Sequence, residues 1–166
     1  MGAGVADAVV AAMSAAVTPT ATAAPVVVGV VSFGYRHLAG APPRADLTVD
    51  VREQLRDPHV DPGFRMLTGR DAAVVERVLT TPGAAGLLEA LVAAVVAVAP
   101  GARAAGRWVR VAIGCAGGRH RSVVLADALA ARVTRAGFGV EVTHLHVREP
   151  VCADRAVTGA VRGARS

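Results

Sequence analysis

The segment from Trp108 to Val147 constrains this chain more than any other, because it sets an apolar strand, a glycine-rich loop, a helix and a second strand in direct succession. Trp108–Gly114 is apolar enough for a buried strand. Ser122–Arg135 carries Val, Leu and Ala at helical spacing, and Gly137 suits the left-handed residue that closes a helix. Val140–Val147 then reads as the next strand. Two strands joined by a helical crossover run parallel, and parallel strands need cover from helices. Upstream, Val26–Phe33 is a continuous β-branched run ended by Gly34, and Ala45–Val51 makes a further strand. Asp71–Leu79 reads as a helix, and Thr81-Pro82 opens another that Pro100-Gly101 should stop. The expected fold is α/β: a single three-layer domain with a small, mostly parallel four-stranded sheet flanked by helices.

With 166 residues, 53% of them hydrophobic, the chain can bury one sizeable core. The domain is expected over residues 25–148, between a disordered or loosely ordered Ala/Thr/Pro-rich tail at 1–24 and a flexible Arg-containing tail at 149–166. The apolar runs near 26–31 and 90–99 are shorter than a bilayer span, so no membrane association is expected. Two cysteines, Cys115 and Cys152, make no disulfide framework, which fits a reducing cytoplasm. All 18 basic residues are arginine, and 11 of them fall in residues 101–166 against four acids. A basic C-terminal part attracts phosphorylated metabolites or nucleic acid, and is otherwise a solvated surface.

The loop Cys115-Ala116-Gly117-Gly118-Arg119-His120-Arg121-Ser122 holds the densest chemistry. In an open α/β sheet, ligands sit beyond the carboxyl ends of strands, where helix amides point outward. Gly117 and Gly118 let backbone N–H groups close on an anion. Arg121 offers a planar fork for phosphate, Arg119 adds charge, Ser122 a hydroxyl and His120 a proton donor or acceptor. A tight structural turn is the alternative. Cys115 is either a nucleophile activated at a helix start or a small buried residue. The string Cys115-x-x-Gly118-x-x-Arg121-Ser122 resembles the phosphate loop of cysteine-dependent protein tyrosine phosphatases, with Cys115 and Arg121 as its catalytic pair. Gly114 stands where that family has His.

A longer resemblance covers residues 26 to 148. Val31-Ser32-Phe33-Gly34-Tyr35, Ala45 through Arg52, Asp57-Pro58-His59, Leu67-Thr68-Gly69 and Ile113 through Val123 resemble, in order, the C-terminal domain of the RNase adapter protein RapZ family. The resemblance implies a non-catalytic sensor of glucosamine-6-phosphate, oligomeric, which binds a small regulatory RNA and presents it to an endoribonuclease. By that resemblance Cys115 to Arg121 line the sugar-phosphate pocket, faced by His59 and by Asp50 and Arg52 at a strand end. The chain carries no P-loop motif and no lysine, so nucleotide binding by that route is not expected. Ala116 stands where the family often has Thr. No cofactor is expected, and no metal, since no His, Cys or carboxylate pair has zinc spacing and His144 and His146 read as strand residues. Phe33, Tyr35, Phe64, Trp108 and Phe138 do not form the stacking platforms of single-strand binders, so any RNA would be held mainly through its backbone charge.

Overall fold

A computed structural model describes residues 27–55, 62–64 and 66–150. His59, the tail assigned to 1–24 and all but the first two residues of the tail assigned to 149–166 lie outside these. Four strands, β1 (Val27–Gly34), β2 (Leu47–Asp50), β3 (Val109–Cys115) and β4 (Gly139–His144), form one sheet in the order β2-β3-β1-β4. Every pairing is parallel. Three helices accompany it: α1 (Ala72–Leu79), α2 (Ala84–Ala104) and α3 (Arg121–Arg135).

The α/β class and the four-stranded parallel sheet with its helices are as expected. The steps from β2 to β3 and from β3 to β4 cross the sheet in one sense, so right-handed connections put all three helices on one face. There Val28, Val30, Val109, Val111 and Ile113 form one core with Val74, Val78, Leu88, Val95, Leu125 and Leu129. The step from β1 to β2 runs in the opposite sense, and a strap through Pro43, Arg44 and Ala45 crosses the other face. This explains why β1 alternates buried and half-buried positions over its first half.

α2 runs through Pro100 to Ala104, beyond the expected stop. The missing amide at Pro100 weakens one turn. Burial of Ala99 and Ala102, on the face that carries Leu88, Leu91 and Val95, holds the helix together across it. The helix ends instead at Gly106 (φ 61°), where the amides of Gly106 and Arg107 return to the carbonyls of Arg103 and Ala102. Its start also shifts, because Gly83 caps it and Pro82 lies in the turn between helices. Gly137 (φ 90°) closes α3 by the same device, its amide on Thr134 and that of Phe138 on Val133. Among the described residues, α2 is the one helix long and apolar enough to cross a membrane by length and composition, with mean hydropathy 1.9. Here it packs on β3 and α3.

Candidate functional site

The carboxyl ends of all four strands meet around Gly34 and Gly118. A Cβ on Gly34 would lie 2.5 Å from the carbonyl carbon of Gly117, and one on Gly118 would lie 2.6 Å from the Gly34 nitrogen. Bare backbone on both sides is therefore what lets the loop after β3 rest on the end of β1. Gly118 also takes φ 69°, which favours glycine. The segment after β4 joins them, because the Gly34 amide donates to His146 Nδ1 at 2.9 Å. The loop after β2 is tied in through the Val51 amide, which donates to the Gly114 carbonyl at 2.9 Å.

Within the loop, the Cys115 thiol is buried and turned toward the helices. The Gly118 amide donates to Sγ at 3.2 Å, and Ser122 Oγ lies 3.2 Å from it. Ser122 is fully buried, so its hydroxyl serves this contact. Arg121 is only 2% exposed, and its Nη1 donates to the carbonyls of Val51, Arg52 and Leu55 at 3.0, 2.8 and 2.8 Å. It is a strut between α3 and the loop after β2. His120 donates from Nε2 to the Leu67 carbonyl at 2.8 Å, while the Gly69 amide donates to the Arg119 carbonyl at 2.7 Å. Arg119 reaches the carbonyls of Glu149 and Met66. Ala116 accepts from the Arg36 amide at 3.0 Å. The amides of Gly117 and Arg119 donate to no acceptor among the described residues, and a Cβ on Gly117 would meet nothing within 4 Å.

Beside this loop stands a polar rim on the strap face. Asp50 and Arg52 are joined by three side-chain hydrogen bonds, Nε to Oδ1 at 3.0 Å and to Oδ2 at 2.9 Å and Nη2 to Oδ2 at 2.6 Å, and the Arg52 amide donates to Oδ1 at 3.0 Å. The Arg52 side-chain hydrogen bond, with its positive charge, holds the Asp50 carboxyl below the usual range against a smaller opposing effect of burial. The Arg52 guanidinium lies 4.0 Å above the Tyr35 ring, a cation–π contact. Burial first, and the Asp50 charge second, push the Tyr35 phenol upward. The rings of His37 and His146 pair at 5.1 Å, and burial with the charge of His37 lowers His146 below 6.5.

Of the residues expected at the site, Cys115 to Ser122 and the pair Asp50 and Arg52 lie at one edge of the sheet; His59 is outside the described residues. Arg121, Ser122 and His120 have contacts that the reading as ligand donors did not foresee, since each holds a neighbouring segment in place. Tyr35 and His146 were missed. Both follow strand ends, so the rule that ligands sit beyond carboxyl ends, applied to every strand and not to β3 alone, finds them. Among the described residues no group of three or more His, Cys, Asp or Glu is arranged to hold a metal ion.

Comparison with known proteins identifies this arrangement. A family model described as the RapZ C-terminal domain matches residues 26–148. A relative from a Nocardioides species, named a nucleotide-binding protein, is 42% identical over 118 residues, which is 70% of this chain and 38% of the relative. One of the same name from Rubrobacter xylanophilus is 44% identical over 122 residues, 73% of this chain and 39% of the relative. A third, from Acidothermus cellulolyticus, is 48% identical over 107 residues, 64% of this chain and 33% of the relative. The chain thus spans about two fifths or less of the length of these curated relatives. The chain belongs to the RapZ C-terminal domain family.

Proposed function

We propose that the carboxyl edge is a non-catalytic seat for a phosphorylated amino sugar of the glucosamine-6-phosphate kind. One observation carries the reading: the Gly117 and Arg119 amides, next to the start of α3, have no acceptor among the described residues, and the space over Gly117 is open. Amides at a helix start favour an anion. The Asp50 carboxylate, kept ionised by Arg52, supplies an acceptor for sugar hydroxyls or an ammonium group. Calorimetric titration with glucosamine-6-phosphate tests this. Saturable heat is expected in wild type and a much weaker response in Gly117→Ala, whose methyl fills only the open space. A flat titration of the folded wild type would remove the reading.

The phosphatase reading has one observation in its favour, the Gly118 amide and Ser122 hydroxyl set around the Cys115 thiol. A reactive phosphate loop also needs an arginine gripping phosphate oxygens, and Arg121 Nη1 is directed at three carbonyls. Binding without turnover is the better account. The RNA-adapter role, with a ribonuclease as further partner in a cytoplasmic homo-oligomer, belongs to the same proposal and rests on the family and on the arginine excess beyond residue 100. Its mark is RNA affinity that falls steeply with salt.

A further inference from the structure

The face of the sheet opposite the three described helices carries a second hollow, toward the amino ends of the strands and away from the loop after β3. Arg110, Gly29 and Glu141 share one rung across β3, β1 and β4, so their side-chain positions face the same way. Gly29 leaves the centre of that rung bare. The indole of Trp108 lies beside it, since a Cβ on Gly29 would be 3.5 Å from Trp108 Cε3. The next rung, Ala112, Val31 and Thr143, is of small or short side chains, and the strap at Arg44 walls the hollow. The resulting cavity has a volume of about 200 Å³. A second, of about 320 Å³, adjoins it and shares Arg44, Trp108 and Arg110.

We propose that this hollow binds a nucleoside phosphate, its base against Trp108 and its phosphate between Arg44 and Arg110. Trp108 is 43% exposed, unusual for the only tryptophan of the chain, and its flat apolar face suits a heterocycle. The Arg44 and Arg110 side chains make no hydrogen bond or ion pair among the described residues, so both guanidinium groups keep their donors for an anion. Of the nearby acids, Asp46 is paired with the Arg107 guanidinium at 2.8 Å and accepts from the Arg110 backbone amide at 2.8 Å, while the Arg110 charge acts on it without direct contact. Glu141 stands two strands from Arg110 on the same rung and forms no ion pair with it among the described residues. A carboxylate only accepts hydrogen bonds, and guanine presents two adjacent donors, so Glu141 makes a guanine base the best match.

The test uses Trp108 as its own reporter, because no other tryptophan contributes to the emission. Titrating the whole chain with GMP should quench that emission to saturation. AMP should bind more weakly, and inorganic phosphate should leave the emission unchanged. Arg44→Ala, on the exposed strap, and Arg110→Ala should each weaken GMP binding about tenfold, the loss of one charge-assisted contact. Glu141→Gln should narrow the preference for GMP over AMP, and calorimetry on Trp108→Phe supplies a second readout. No quench by any mononucleotide overturns the proposal. So does quenching by inorganic phosphate alone, quenching only by an RNA oligonucleotide, or emission that shifts with protein concentration because a second copy covers the face. Saturating glucosamine-6-phosphate should not compete, so this site and the carboxyl-edge seat stand or fall separately.

Discussion

The Gly34 amide donates to Nδ1 of His146 at 2.9 Å, and with the Leu145 amide on the Ser32 carbonyl at 2.9 Å this bond ties the end of β1 to the chain leaving β4. It also fixes a tautomer. Nδ1 must carry a lone pair, so the ring is neutral with its proton on Nε2. Protonation at Nδ1 would set two donors against each other, in the direction of the lowered pKa that burial and His37 impose.

Stability should therefore depend on pH near neutrality. The folded His146 takes up its proton at a lower pH than the unfolded chain, so protons favour unfolding. Its contribution is complete above pH 6.5 and is lost as pH falls toward the folded value. Urea midpoints measured from pH 8 to 5 should decline in wild type and flatten in His146→Asn, whose amide oxygen can still accept from Gly34. A second decline is expected below pH 3.8, where Asp46, Asp50 and Asp71, all held low by hydrogen bonds from Arg110, Arg52 and Thr68, take up protons.

Arg121→Met should destabilise the fold by about 3 kcal/mol or more, because three carbonyls lose a charged donor at a buried position. Denaturant titration measures it. A change comparable to an ordinary surface substitution would show that the strut is unimportant. For the same reason, lost ligand binding in an Arg121 variant does not by itself report phosphate contact.

Glycines at the edge should divide sharply. Gly34→Ala places its methyl 2.5 Å from Gly117 backbone and should cost about 1–3 kcal/mol in chemical denaturation. Gly117→Ala meets nothing and should change stability by no more than about 0.5 kcal/mol. Equal effects would contradict the close approach of the two backbones.

Gly137→Ala should cost about 1 kcal/mol, because φ 90° is unfavourable for a residue with a Cβ even where nothing crowds it. A shift in thermal midpoint with unchanged helical circular dichroism is the expected signature.

Wild-type protein should not turn over a generic aryl phosphate. Activity that vanishes in Cys115→Ser, with the fold intact, would reverse this and restore the phosphatase reading.

Much of the fold was legible in sequence because its signals are local. A β-branched run marked β1, an apolar run marked β3, and helical spacing followed by Gly137 marked α3 with its cap. Strand order was not legible, since it is set by tertiary contacts. Pro100 misled for a related reason: its local penalty was outweighed by burial of Ala99 and Ala102. At the candidate site, residue type and spacing located the loop but not where each side chain points. Arg121 and Ser122 carry the chemistry of ligand donors, yet they face Val51, Arg52, Leu55 and Cys115. Only contacts between residues distant in sequence reveal that.

The bare backbones pressed together at Gly34 and Gly118 leave the floor of the carboxyl edge nearly without a chemical identity of its own. Amides offer the same donors to any oxyanion that fits. Under the proposed function, discrimination between one phosphorylated compound and another would then fall to the surrounding side chains, Tyr35, Asp50 and Arg52 among them. On that proposal, exchanges at those positions would alter recognition while leaving the cradle intact.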